Sequence, residues 1–310
     1  MYKLIFFGTS EFAVPSLEAL VRDPRFSVEA VVTQPDRPKG RDQNITPPPI
    51  KTAAEKLGIA TVVQPIKLTD PNFRSWIEKQ GPEMHVFVVA SYGKILPKWL
   101  LDLPKWGKCV NVHGSLLPRW RGASPVQTAI AAGDERTGVT VMKMDEDLGH
   151  GPLISGSAVP LTPETTGGQL HDQLAELGGK ILPNILAGYL DDRIPATPQQ
   201  HDRATFCGIL KRENGRIDWN KTAEEIERII RAYNPWPGAW MDFEGKRLKI
   251  LGASIRPNDA SHAPGERFLW KKKPHVKCGR NTVLELTRIQ LEGKKPMSGE
   301  EFARGNEWSR

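Results

Sequence analysis

The chain has 310 residues, 39% of them hydrophobic, and a formal charge of +7, which allows two domains, each with a buried core. Its three cysteines, Cys109, Cys207 and Cys278, lie far apart without C-x-x-C spacing; that argues against a disulfide framework or a zinc site and fits a reducing compartment. No run approaches the roughly 18 apolar residues of a membrane span, and the opening MYKLIFFG is too short and strand-like for a signal peptide, so a cytoplasmic protein without membrane or metal is expected.

Taken in chain order, Lys3–Phe7 reads as a buried strand, Gly8-Thr9-Ser10 as a turn and Phe12–Val21 as a helix with Phe12, Leu17, Leu20 and Val21 on one face. Val28–Thr33 is a second strand, Thr52–Leu57 a helix, Thr61–Pro65 a short strand and Pro71–Lys79 another helix. Met84–Ala90 is continuously apolar, as a central parallel strand covered on both faces must be. Leu96–Leu103 reads as helix, Cys109–Val112 as strand and Gly138–Met144 as a later strand. Such alternation predicts a Rossmann-like parallel α/β sheet, with ligands beyond the carboxyl ends of its strands. Gly8, Ser91-Tyr92-Gly93 and His113 fall at those ends. Neither G-x-G-x-x-G nor G-x-x-x-x-G-K-[ST] is present, which disfavours a nicotinamide dehydrogenase or a P-loop enzyme.

Gly167–Leu190 has a helical apolar stripe at Leu170, Leu174, Leu177 and Ile181. The Pro-rich, aperiodic residues 191–205 read as a linker, giving domains over 1–190 and 206–310. Beyond it come a helix (Thr222–Ala232) and turn-separated strands at Ala239–Phe243, Leu248–Ile255 and Val283–Leu291, as in a small β-barrel. Residues 204–310 hold 21 Lys and Arg against 14 Asp and Glu, while residues 1–203 hold 22 of each. The whole positive excess therefore sits in the last third, a pattern shared by solvated basic surfaces and by phosphate-backbone footprints.

Chemistry concentrates in Cys109-Val110-Asn111-Val112-His113-Gly114-Ser115-Leu116-Leu117-Pro118. On an extended strand Asn111 and His113, two residues apart, face the same side. An amide can hold a developing oxyanion and an imidazole can move a proton, the two tasks of amine attack on a carbonyl. Ser115 stands outside any G-x-S-x-G elbow, which disfavours a serine hydrolase. The string NVHGSLLP followed by RWRGASPVQ resembles the signature of the folate-dependent formyltransferase family, within it the branch that formylates methionyl initiator tRNA, and the resemblance runs along nearly the whole chain.

The resemblance implies a formyltransferase domain followed by an OB-like β-barrel that helps hold tRNA. It implies 10-formyltetrahydrofolate as donor, the α-amino group of methionyl initiator tRNA as acceptor, and catalysis by Asn111 and His113. Tyr92, Gly93, Ile95, Leu96 and Pro97 would form one wall of the folate site and Ser115, Leu116, Leu117 and Pro118 the other. Arg37, Lys39 and Arg41, in a basic Pro/Gly-rich loop, would contact tRNA, as would Lys271, Lys272 and Lys273. A monomer is expected.

One position departs from the family pattern. An Asp that orients the catalytic His normally precedes a small residue or His and then Gly; in Met144-Asp145-Glu146-Asp147-Leu148-Gly149-His150-Gly151, Gly149 holds that place. In a comparable triad the loss of such a carboxylate costs about four orders of magnitude in rate. The expectation is that Asp147 stands in, with His150 the other candidate and a slowed or merely binding-competent protein as alternatives. A sugar-nucleotide N-formyltransferase shares the donor and the Asn-x-His motif, while a non-catalytic folate- or RNA-binding homologue is the reading from another functional class.

Overall fold

The computed structural model describes residues 1–39, 43–257 and 261–309. The chain divides into two compact units. One comprises Met1–Pro125, Thr137–Val159 and His171–Cys207, and the other Val126–Arg136, Pro160–Leu170 and Gly208–Arg310. Among the described residues no helix is long and apolar enough to cross a membrane.

The first unit is built on a sheet of seven strands in the order Leu153–Pro160, Arg136–Lys143, Cys109–His113, Val86–Ala90, Tyr2–Gly8, Phe26–Val32 and Val62–Val63. The last five of these are mutually parallel. Leu4–Phe7 and Val86–Val89 are buried throughout, because helices cover a parallel sheet on both faces. The chain builds outward from Tyr2–Gly8 to Val62–Val63 and then crosses back to Val86–Ala90. In sheets of this kind the ligand crevice lies where that direction reverses, which here is beyond the carboxyl ends of Tyr2–Gly8 and Val86–Ala90. Arg136–Lys143 runs antiparallel to Cys109–His113, a departure from an all-parallel sheet that periodicity cannot reveal, since it reports strand character and not direction.

The helices Val14–Arg22, Pro49–Lys56, Pro71–Gln80 and Gly167–Leu190 agree closely with the sequence pattern. Asp70 caps Pro71–Gln80, its carboxylate accepting from the Asn72 and Phe73 N–H groups, a cap that spares two otherwise orphaned donors. In Gly167–Leu190 the buried stripe is Leu170, Leu174, Leu182 and Leu186, with Leu177 and Ile181 only half-buried beside it.

The Pro-rich stretch after this helix is bound into the first unit. Leu153 and Thr197 exchange backbone hydrogen bonds of 2.7 Å, the Arg121 N–H donates to the Thr205 carbonyl at 2.8 Å, and Phe206–Cys207 pairs in parallel with Arg121–Gly122. Gly122 has φ +127°, and a Cβ there would lie 1.9 Å from the Cys207 carbonyl oxygen.

The second unit carries the antiparallel strands expected of a small β domain. Its sheet runs Ala239–Phe243, Lys246–Arg256, Val283–Leu291, Lys273–Lys277 and Arg267–Trp270, with Met297–Ser298 also on Val283–Leu291. Register shifts around Gly252 interrupt the pairing of Lys246–Arg256 with Val283–Leu291, and such bulges bend a strand and sharpen its twist. Inward residues Met241, Phe243, Leu248, Ile250, Val276, Leu284 and Leu286 pack with Ile226, Ile230, Phe302 and Trp308. The helices Ala223–Ala232 and Gly299–Gly305 each begin with a capping box, Thr222 with Glu225 and Ser298 with Glu301. The strands Arg267–Trp270 and Lys273–Lys277 are illegible in sequence because lysines crowd the turn between them.

The Gly122 geometry yields a stability prediction. Gly122→Ala must push the Phe206–Cys207 strand away and should lower unfolding free energy by about 2 kcal/mol or more, read as a fall in the urea midpoint; an unchanged midpoint would contradict this packing.

Candidate active site

Asn111 and His113 stand on the strand Cys109–His113, next to Val86–Ala90 at the crevice. Alternation puts both on one face, as the two-residue spacing requires. His113 is only 8% exposed, and Asn111 is half-buried. The Asn111 amide has no protein hydrogen-bond partner among the described residues.

The imidazole of His113 is held by a single bond, from Nε2 to the Trp120 backbone carbonyl at 3.0 Å. A carbonyl can only accept, so Nε2 carries the hydrogen and Nδ1 of the neutral ring carries the lone pair. Burial pushes the His113 pKa below its ordinary value, and the Trp120 carbonyl offsets this in part. The ring is therefore a neutral base at neutral pH.

Around this pair the crevice wall is tightly tied. The Thr9 hydroxyl and the Gln34 amide both donate to the Tyr92 carbonyl, at 2.8 and 3.2 Å, and Ser10 donates to Ser91 Oγ at 2.7 Å. Tyr92 itself is buried edge-on against Phe7, its hydroxyl unpartnered, and burial drives its pKa far upward. Gly93 turns with φ +80°. Ile95 is an exposed apolar residue, Leu96 is buried, and Pro97 precedes the short helix Lys98–Leu101.

On the other side the Ser115 hydroxyl donates to the Arg119 carbonyl at 2.6 Å. Thr140 Oγ1 donates to the Ser115 carbonyl and accepts from the Leu117 N–H. Leu117 is buried, while Leu116 and Pro118 are half-buried. Ser115, Tyr92 and Leu96 thus hold the walls, whereas Gly93 and Ile95 present backbone and apolar surface outward.

Gly149 sits in the left-handed region at φ +67°, and a Cβ there would come within 3.2 Å of the Arg121 Cβ and Cγ. Asp147 is exposed and makes no hydrogen bond to His113; its N–H donates to the Asp145 carboxylate at 3.2 Å. The place at Nε2 that an orienting carboxylate would take is filled by the Trp120 carbonyl. The other Asp145 oxygen meets His150 Nδ1 at 2.6 Å, and the His150 ring stacks on His201 with centroids 4.1 Å apart. Arg121, whose pKa burial lowers against the raising influence of Asp145 and Asp147, points into the same cluster. Sequence reasoning missed Gln199 and His201, which lie in a segment without periodicity or motif, and gave Arg121 no role although it stands in the signature string; only folding brings the three to Gly149.

The basic residues are dispersed. Arg37 begins a hairpin of Arg37–Lys39 with Asn44–Thr46, and Asp36 at its base is held by Lys51 and Gln64 at 2.9 and 2.6 Å. Lys39 pairs through its backbone with Asn44; Arg41 lies outside the described residues. Lys271 and Lys272 form the exposed two-residue turn between Arg267–Trp270 and Lys273–Lys277, with φ +50° and +64°. Lys273 is paired with Glu285 at 3.1 Å.

Residues 2–186 match the formyl transferase family model, and residues 209–307 match that of the formyl transferase C-terminal domain. The chain belongs to the formyl transferase family. It is 43% identical over 305 residues to a methionyl-tRNA formyltransferase of Myxococcus xanthus (strain DK1622), covering 98% of this chain and 95% of the relative. A methionyl-tRNA formyltransferase of Koribacter versatilis (strain Ellin345) is 44% identical over 303 residues, covering 97% and 95%. An N-formyltransferase structure from Helicobacter canadensis, with folinic acid and dTDP-3-aminofucose, shares the fold at TM-score 0.66 and 17% identity, over 92% of this chain and 99% of that one.

A neutral His113 has a measurable consequence. The unfolded chain protonates this histidine near pH 6.5, while the folded transferase resists it. Below about pH 6.5 the unfolded state therefore binds more protons, and stability falls with pH by at most about 1.4 kcal/mol per unit for this residue. NMR titration should show the His113 ring neutral as the exposed histidines titrate; an imidazolium signal at pH 7 would refute the assignment.

Proposed function

We propose that the chain transfers the formyl group of 10-formyltetrahydrofolate to the α-amino group of methionyl initiator tRNA. The observation that carries this reading is the Asn111–His113 pair: an amide with no protein partner and a neutral imidazole with its Nδ1 lone pair available, side by side at the crevice of a formyl transferase fold. The 43% identity to a methionyl-tRNA formyltransferase over nearly the full length supports tRNA as the acceptor.

In this mechanism the methionyl amine attacks the formyl carbon and the carbonyl oxygen gains negative charge. The Asn111 Nδ2–H donates to that oxygen, a contribution of roughly 3–4 kcal/mol at comparable oxyanion sites. His113 Nδ1 accepts the proton released by the attacking nitrogen and returns one to the departing nitrogen of the donor. The His113–Trp120 bond keeps the ring in the tautomer this needs.

Tyr92, Gly93, Ile95, Leu96 and Pro97 with Ser115 to Pro118 are proposed as the walls of the folate site. Gly93 and Ile95 supply backbone groups and apolar surface, and the buried members supply rigidity. Asp147 is kept as the proposed stand-in for the carboxylate absent at Gly149, a role it does not perform by a hydrogen bond to His113, and substitution tests it. Residues 206–310 are proposed to hold tRNA, with Lys271 and Lys272 on an exposed turn, and Arg37, Lys39 and Arg41 to meet it from the basic loop. A monomeric, cytoplasmic protein completes the proposal.

Offered formyl donor and charged initiator tRNA, His113→Ala should lose at least about a hundredfold in kcat while folate binding stays within about tenfold. Asp147→Asn should slow transfer measurably, and an unchanged rate would remove Asp147 from the site. Transfer to an amino sugar nucleotide in place of tRNA would overturn the choice of acceptor. If lysines and arginines meet the phosphate backbone, tRNA affinity should drop at least about tenfold between about 50 and 200 mM salt; a flat response would contradict that surface.

A further inference from the structure

We infer that Gln199, in a stretch that reads as a linker, is a positioning residue for the reaction, clamping the Gly149 loop to the strand that holds His113 in place. Its side chain is 6% exposed. Nε2 donates to the Gly149 carbonyl at 2.9 Å and to the Gly151 carbonyl at 2.7 Å. Oε1 accepts from Arg121 Nε at 3.2 Å and Nη2 at 2.7 Å. One buried amide thus uses two donors and two acceptor sites, its full hydrogen-bonding capacity. No other natural side chain of this length offers two donors on one arm and an acceptor for guanidinium on the other.

The clamp lies one residue from the catalytic ring's support. Arg121 follows Trp120, whose carbonyl holds His113 Nε2. The Trp120 N–H donates to Thr205 Oγ1 at 2.9 Å and the Arg121 N–H to the Thr205 carbonyl at 2.8 Å. Residues 199–205 therefore hold Trp120–Arg121 by its backbone and Gly149–Gly151 by its carbonyls. At Gly149 the chain has no side chain with which to hold its own loop, so Gln199 joins the Asp145–His150 bond and the His150–His201 stack in fixing that loop against Arg121. The Arg121 Nη2 that reaches Gln199 also meets His201 Nδ1 at 2.9 Å, and His201 stacks on His150, the hydrogen-bond partner of Asp145. Releasing Gln199 removes two bonds from the loop bearing Asp145, Asp147 and His150 and two from Arg121, next in sequence to the Trp120 carbonyl that holds His113.

The role in catalysis rests on the formyl-transfer reading; the clamp itself does not. Two variants separate its halves. Gln199→Leu removes all four bonds. Gln199→Glu keeps an acceptor for Arg121 but loses both donors to the loop, and when protonated its carboxyl regains one. Both variants should lower kcat at neutral pH by about tenfold or more, with KM for the formyl donor within about threefold. Relative to the unaltered protein, the Glu variant should recover rate as pH falls from about 8 to 5.5, because burial and the two loop carbonyls raise its carboxyl pKa against the lowering pull of Arg121, and the Leu variant should not. Hydrogen–deuterium exchange of the peptide spanning residues 144–152 should rise in both at neutral pH.

A Glu variant with unaltered kcat overturns the positioning role, as does a Leu variant that shows the same acid recovery. Unchanged exchange in both variants overturns the clamp, whatever the rates. If the unaltered protein transfers no formyl group to any acceptor, the functional reading fails and so does the catalytic role, while the exchange measurement still decides whether Gln199 holds the loop.

Discussion

The bond between His113 Nε2 and the Trp120 carbonyl sets the chemical character of the site. It dictates which ring nitrogen keeps its lone pair, and it does so with a backbone group, whose position depends on chain geometry alone. Trp120 adopts φ +59°, a left-handed conformation that side chains disfavour. It is retained by the Thr205 hydroxyl on its N–H, and Arg121 beside it by the Thr205 carbonyl. The tautomer of a residue on a central strand is therefore secured by residues more than eighty positions further along the chain.

A carbonyl is a weaker orienting partner than a carboxylate. It fixes the ring and its tautomer, but as a neutral dipole it offers the imidazolium less stabilisation than a full negative charge would. Burial works in the same direction, favouring the neutral ring. With Gly149 where the resemblance implies an Asp, His113 is left unprotonated at neutral pH, and its lowered pKa makes it a weaker base with a less stabilised conjugate acid. Asp145 is bonded to His150, and Asp145 and Asp147 both act on Arg121, so negative charge is present in the loop but is directed away from His113.

Net charge gives a similarly indirect guide to the basic last third. Lys273 and Arg256 both pair with Glu285, so these two cations are engaged within the second unit's own sheet. Lys271 and Lys272 are lifted out on a tight turn, with Lys271 over the Trp270 ring. That turn sets cationic and aromatic groups side by side, while other exposed cations such as Lys246, Lys249, Lys294 and Lys295 are spread over the unit.

The sequence by itself determined the layered α/β unit, because Leu4–Phe7 and Val86–Val89 are too continuously apolar for anything but strands buried on both faces. It also determined the long helix Gly167–Leu190, the helix beginning near Thr222 and the shared face of Asn111 and His113, since these follow from periodicity and spacing within a few residues. Strand direction at Arg136–Lys143, the lysine-flanked hairpin near Trp270 and the closing partner of His113 were not legible. Each depends on which distant backbone comes alongside, and a carbonyl such as that of Trp120 carries no residue-specific signature. Gln199 is the clearest case: in an aperiodic, proline-rich stretch it is one more polar residue, and only the tertiary structure, by bringing Gly149, Gly151 and Arg121 around one buried amide, made it part of the site.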